Sequence, residues 1–185
     1  FWPNEGLDEG PILIQKSVEI GPDETLGDVY FKKLFPMGVD AMMESLDLVK
    51  AGVILRHDQR LAEGSYESWY KKDLAQLDWV KSASDLYNTI RAANPAPGAW
   101  GTIKGIKLDV YDSARGTATG KPGTVLALDG QGMTVATGDG SILVKRVRAP
   151  GGQKIAAAEW AASAGVKAGD AFDPYTPPAP PKPKA

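Results

Sequence analysis

Asn94-Pro95-Ala96-Pro97-Gly98 is where the hydrophobic period of this 185-residue chain changes. Proline lacks an amide hydrogen and restricts the residue before it, so no helix crosses this stretch. Beyond it, Ile106, Leu108 and Val110 alternate with Lys107, Asp109 and Tyr111, the period of a half-buried strand. Residues 124–128, 133–136 and 142–148 read as further strands, separated by the turns Asp129-Gly130-Gln131-Gly132 and Gly138-Asp139-Gly140. Short strands with glycine turns predict a small barrel, completed by a helix over 156–164 around Glu159 and Trp160.

Upstream the period is helical. Gly21-Pro22-Asp23-Glu24-Thr25 is a helix entry, with Thr25 and Asp28 in capping-box spacing and Leu26, Val29, Tyr30 and Leu34 on one face. Pro36 and Gly38 predict an interruption. A second helix is expected from about Met37 to Ala51, with Val39, Met42, Met43, Leu46 and Val49 filling a core and Gly52 stopping it. Residues 82–91 read as a third helix, with Ser84 as the candidate cap and Ala83, Leu86, Tyr87 and Ile90 inward. Trp69 and Tyr70, beside Lys71 and Lys72, read as packing residues with exposed tips. The expected division is therefore 1–94, 95–172 and a tail, 173–185, with six prolines among thirteen residues that is expected to be disordered.

The segment Asn4-Glu5-Gly6-Leu7-Asp8-Glu9-Gly10-Pro11-Ile12-Leu13 carries the candidate chemistry. Gly6 and Gly10 bracket Asp8, so the backbone on either side has access to positive φ and to close approach of a ligand. Pro11 starts an extended run in which Ile12, Leu13, Ile14, Val18 and Ile20 read as a mostly buried strand. A carboxylate at the mouth of a strand can serve as general acid or base. The same spacing also suits an aspartate that merely caps a surface turn.

Composition narrows the field. With 43% hydrophobic residues the chain can build a core, and with no cysteine it has neither disulfides nor thiolate chemistry. No apolar run approaches the roughly 18 residues of a bilayer span, and the expectation is a cytoplasmic protein without membrane contact. No cluster of metal ligands is evident, so no metal is expected. The sole histidine, His57, reads as an exposed loop residue. Residues 1–99 carry ten Lys/Arg against sixteen Asp/Glu, and residues 100–172 nine against six. Alternation puts Lys145 on the face opposite Arg146 and Arg148, which leaves no basic stripe, and nucleic acid is not an expected partner.

Phe1-Trp2-Pro3-Asn4-Glu5-Gly6-Leu7-Asp8-Glu9-Gly10-Pro11-Ile12-Leu13-Ile14-Gln15-Lys16 resembles the last active-site loop and following strand of the 10-formyltetrahydrofolate-dependent formyltransferases. Arg91 to Trp100 resembles that family's domain junction, and residues from Phe1 to about Phe172 follow it in order. The resemblance is closest to the hydrolase domain of formyltetrahydrofolate dehydrogenase, through Leu34-Phe35-Pro36 and Ile142-Leu143-Val144-Lys145, and extends to methionyl-tRNA formyltransferase. It implies the α/β end of a Rossmann-like catalytic domain followed by an OB-like barrel, with 10-formyltetrahydrofolate as formyl donor. It also implies Asp8 as catalytic carboxylate, Asn4, Glu5, Gly6 and Leu7 as a wall of the pterin pocket, and a small amine or water as acceptor. The family's Asn-x-His motif is not in this chain, which begins at Phe1 without an initiator methionine. The resemblance therefore implies a C-terminal portion whose partner is an N-terminal half. The alternatives are a methionyl-tRNA formyltransferase fragment and a non-catalytic OB-type binding module.

Overall fold

The computed structural model describes residues 1–65 and 69–177. It divides into two compact units, Phe1–Trp69 and Tyr70–Ala185. The division lies upstream of the Asn94–Gly98 turn, and residues 70–94 belong to the second unit.

In the first unit the capping box forms as the spacing requires. Thr25 Oγ1 accepts from the Asp28 amide at 3.1 Å, and Asp28 Oδ2 accepts from the Thr25 amide at 3.1 Å. This opens α1 (Leu26–Val29), which runs through a π-helical turn (Tyr30–Leu34) into α2 (Phe35–Lys50). Pro36 does not interrupt the helix. The wider π turn, in which the Phe35 amide donates to Tyr30 O, lies immediately before the proline and gives its ring room against the preceding turn. At the far end Gly52 sits at φ 76°, its amide on Val49 O and that of Val53 on Leu48 O, a Schellman closure.

Two expectations for this unit are corrected. Residues 12–20 form no strand: only Ile12 pairs, in an isolated bridge with His57, while Val18 and Ile20 are exposed. A strand needs a neighbour along its length to satisfy its amides, and here the one bridge is followed by unpaired chain. Val39, Met42, Met43, Leu46 and Val49 fill no core either; all five are exposed, Met42 at 62%. Trp69 is likewise 85% exposed.

The second unit holds the main core. α3 (Ala83–Ala92) is capped by Ser82, not Ser84: the Ser82 hydroxyl accepts from the Asp85 amide at 3.0 Å. Leu86 and Ile90 are buried beneath it and Tyr87 is partly so. The sheet comprises β1 (Ala99–Ile103), β2 (Ile106–Gly116), β3 (Val125–Asp129), β4 (Gly132–Ala136), β5 (Ser141–Arg148) and β6 (Ile155–Ala156). All its ladders are antiparallel, in the order β1-β2-β5-β4-β3, with β6 on β5. α4 (Ala157–Ser163) buries Trp160 and Ala161. The core gathers Leu77, Ile103, Leu108, Val110, Met133, Ile142 and Val144, each at most 1% exposed.

The ladder path is not closed into a barrel, and β1 and β3 are its edges. Between them lies a clasp: Phe172 bridges to Ile103 and Ala171 to Thr124. Phe172 also lies tilted on Trp79, ring centroids 4.8 Å apart, against Gly101, where any Cβ would come within 2.9 Å of the Phe172 ring. That glycine hid β1 from the hydrophobic pattern. Residues 173–177 take no regular structure, and the rest of the proline-rich tail, 178–185, lies outside the described residues.

Two outcomes follow. Ile142→Ala, at a fully buried position near the start of β5, should cost about 2–5 kcal/mol in a urea titration. The carboxyl of Asp28 is held well below its ordinary value by hydrogen bonds from Lys32 and Thr25, the Lys32 contact being 2.5 Å. Its cap contribution is thus complete above the unfolded-state value near 3.8 and is lost as pH falls toward the lower folded value. Amide protection at Asp28 and Val29, taken relative to the intrinsic exchange rate at each pH, should fall on acidification below about pH 4, and Asp28→Asn should remove that change in protection.

Candidate functional site

The Asp8 turn is held by main-chain straps. Gln59 Nε2 donates to Asp8 O at 2.8 Å and to Gly10 O at 2.7 Å, and the Trp2 amide donates to Pro11 O at 2.8 Å. Ile12 and His57 exchange both backbone bonds, at 2.8 and 3.0 Å, and Trp2 Nε1 reaches Leu55 O at 2.9 Å. His57 is exposed and bonds through its backbone. Asn4 Oδ1 accepts from the Gly6 amide at 3.1 Å, so Asn4 shapes the turn from within.

The left-handed residue of this turn is Asp8 itself, at φ 57°, rather than a flanking glycine. Aspartate tolerates that region because its short side chain serves local polar groups. Gly10 is required for another reason: a Cβ there would fall 1.7 Å from Trp2 O. Asp8 is exposed and lines, with Leu7, Glu9, Gln59 and Arg60, a cavity of about 520 Å³. Of the residues expected to form a pterin wall, Leu7 lines this cavity; Asn4, Glu5 and Gly6 do not. A second hollow of similar volume is lined by Ile12–Gln15 and His57–Arg60.

The second unit contains a charge cluster that sequence reading passed over. Asp109 on β2 lies opposite Trp100 on β1 and Arg148 on β5. Its carboxylate accepts from Lys72 Nζ, from Arg148 Nη2 at 3.0 Å and from the Tyr111 hydroxyl at 3.3 Å. Lys72 also donates to Pro97 O at 2.9 Å and Gly98 O at 3.1 Å. Lys107 covers the Trp100 ring at 3.7 Å, and Lys154 covers Tyr111 at 3.7 Å, with Arg148 on the same ring at 5.2 Å. Burial pushes the Lys72 ammonium down, with Lys107 and Arg148 adding to it and Asp109 opposing. Lys154 is lowered by burial and by Arg148 and Arg146, and the Tyr111 phenol is raised, chiefly by burial.

The available signal was Lys107-Leu108-Asp109-Val110-Tyr111, whose polar members fall on one strand face; Lys72 and Lys154 come from distant segments and carried none. Beside Arg146 and Arg148, a register shift on β5 skips Lys145 and interrupts the alternation assumed for it.

Residues 70–165 match the sequence profile of the formyl transferase C-terminal domain. The chain is 33% identical over 170 residues to the methionyl-tRNA formyltransferase of Trichlorobacter lovleyi, covering 92% of this chain and 54% of that protein. It is 34% identical over 170 residues to the human mitochondrial 10-formyltetrahydrofolate dehydrogenase, covering 86% of this chain and 18% of that protein. The chain thus spans about half the length of the first relative and under a fifth of the second. Among solved structures, HypX from Aquifex aeolicus, in a form complexed with tetrahydrofolic acid, superposes on 85% of this chain and 28% of its own, with a TM-score of 0.64 and 20% identity. A HypX variant does so with a TM-score of 0.68. That likeness shows a shared fold.

Gly10→Ala should open the turn, because Trp2 O cannot yield without breaking the Trp2–Pro11 bond. Faster amide exchange at Trp2 and Ile12, with the second unit's amides unchanged, is the expected reading.

Proposed function

The chain belongs to the formyl transferase family, and from that premise we propose that it is the C-terminal portion of an enzyme using 10-formyltetrahydrofolate. It passes the formyl group to a small amine or to water. Asp8 is the catalytic carboxylate of this reading, and the remaining reactive side chains come from an N-terminal portion. The observation that carries it is reach: similarity to the relatives extends beyond residues 70–165 over 92% of the chain, into the unit that holds the strapped Asp8 turn.

The folate is a substrate here, and supplies a formyl carbon bonded to nitrogen. The turn fits such a group in its chemistry, with an exposed carboxylate at an open cavity. Within this chain Asp8 holds or moves the proton that nitrogen or the attacking group must exchange. The Gln59 strap holds the backbone at Asp8, and in the expected pterin wall of Asn4, Glu5, Gly6 and Leu7 it is Leu7 that lines the cavity while Asn4 shapes the turn that presents it. The exposed α2 face of Val39, Met42, Met43, Leu46 and Val49 is the surface the N-terminal portion covers. The clasp at Ala171 and Phe172 supports an OB-like closure of the second unit's sheet.

A methionyl-tRNA acceptor is a second reading, favoured by the first relative's name. A formal net charge of −2 weighs toward the small acceptor. Measuring 10-formyltetrahydrofolate consumption with water, simple amines or methionyl-tRNA as acceptor separates the two.

With the enzyme assembled from both portions, Asp8→Asn should lower formyl transfer about 10²-fold or more while leaving the circular dichroism spectrum unchanged. Turnover within a few-fold of the parent would remove Asp8 from the mechanism.

A further inference from the structure

The cation cluster of the second unit stands apart from the Asp8 reading and needs nothing from it. Lys72, Lys107 and Arg148 line a concavity of about 450 Å³ in which Asp109 is the one lining carboxylate. Its remaining wall is the Ala149-Pro150-Gly151-Gly152 loop, closed by the Gly152 amide on Ala149 O at 3.0 Å. Gly151, at φ +72°, has nothing within 4 Å of where a Cβ would stand, so at this residue the wall is bare backbone beside open space.

We propose that this concavity binds a small molecule through a diphosphate group. The carboxylate of Asp109 offsets one of the lining cations, and Lys72 is already held by Asp109, Pro97 O and Gly98 O, so Lys107 and Arg148 are the cations presented to an incoming anion. Asp109 meets one guanidinium nitrogen of Arg148; the guanidinium carries five N–H donors in a fork suited to phosphate oxygens. Lys107 is exposed, and the ring of Trp100 is the contact that places it. A volume of this order is that of an ordinary ligand pocket, typically about 300–1,000 Å³, and exceeds the needs of a single oxyanion.

The same geometry disfavours single-stranded nucleic acid, which needs open aromatic faces on which bases stack. Here Lys107 lies over Trp100, while Tyr111 is 3% exposed and carries both Arg148 and Lys154. The rings hold cations in place, and the cations are what is presented. They also converge on one carboxylate instead of running along a groove. Lys72 and Lys154 are lowered first by burial and then by neighbouring cations, which fits a site in which an added anion relieves repulsion.

The test titrates inorganic pyrophosphate into the 185-residue chain at low ionic strength, by calorimetry and by amide and indole NMR. Saturable binding is expected, with shifts at Trp100, residues 107–111 and residues 148–152, and weaker binding of orthophosphate. Lys107→Gln and Arg148→Gln should each weaken pyrophosphate about tenfold, whereas Lys121→Gln, outside the pocket, should not. Should Arg148→Gln lose its dispersed spectrum, Lys107→Gln decides alone, since that side chain is exposed. Absence of saturation, shifts elsewhere, or affinity unchanged by Lys107→Gln overturns the proposal. So does a single-stranded oligonucleotide that binds more tightly than pyrophosphate.

Discussion

The layout of the second unit turns on one carboxylate. Asp109, its side chain 14% exposed, accepts from Lys72 ahead of α3, from Arg148 on β5 and from Tyr111 two residues along its own strand. Removing charges from water is expensive, and ion pairs of this kind often contribute little net stability against an apolar replacement. What the cluster supplies is position. Lys72 reaches across to Pro97 O and Gly98 O, and a Cβ on Gly98, at φ +85°, would stand 3.1 Å from the Tyr111 hydroxyl and 3.2 Å from Lys72 Nζ. The Asn94–Gly98 turn therefore closes one side of the charge cluster, and Asn94 Nδ2 ties it to Tyr111 O at 2.9 Å.

The first unit has no comparable apolar core among its described residues. Leu13 and Val29 are its buried apolar residues among those described, so hydrogen bonds and ion pairs set its shape. Lys33 ties Glu24 at 2.7 Å and Glu19 O at 2.9 Å, and Lys16 meets Glu44 at 2.7 Å, strapping the preceding chain to the helix. Exposed pairs of this sort are each worth about 0–1 kcal/mol, and helices in proteins draw most of their stability from packing. An apolar face such as that of α2 is written for cover, which is why the period was legible while the burial inferred from it was not.

Local signals were read well where they were self-contained. The Thr25–Asp28 box, the Gly52 stop and the inward residues of α3 each follow from a few neighbouring residues, and the structure has them. The misreadings of Pro36 and of the α3 cap were local, and the others depended on a distant partner. Pro36 was read as a break because a π turn leaves no compositional mark. The run 12–20 was read as a strand although His57 offers it a single bridge. β1 was missed because Gly101 makes way for Phe172, seventy residues downstream. At the candidate site, glycine spacing located the turn, yet positive φ fell on Asp8 and the glycine's necessity came from Trp2 O.

The two sites differ in electrostatic character, and this limits what each can hold. The cavity at the first turn carries the carboxylates of Asp8 and Glu9 against the guanidinium of Arg60, a balance that does not favour a multiply charged anion. A proton-exchanging group of low charge meets no such cost. The cluster around Asp109 reverses the sign: cations outnumber the carboxylate, burial disfavours the ammonium groups of Lys72 and Lys154, and an arriving anion lowers both penalties. The two hollows therefore differ in charge balance, and a ligand suited to the lining of one is not suited to that of the other.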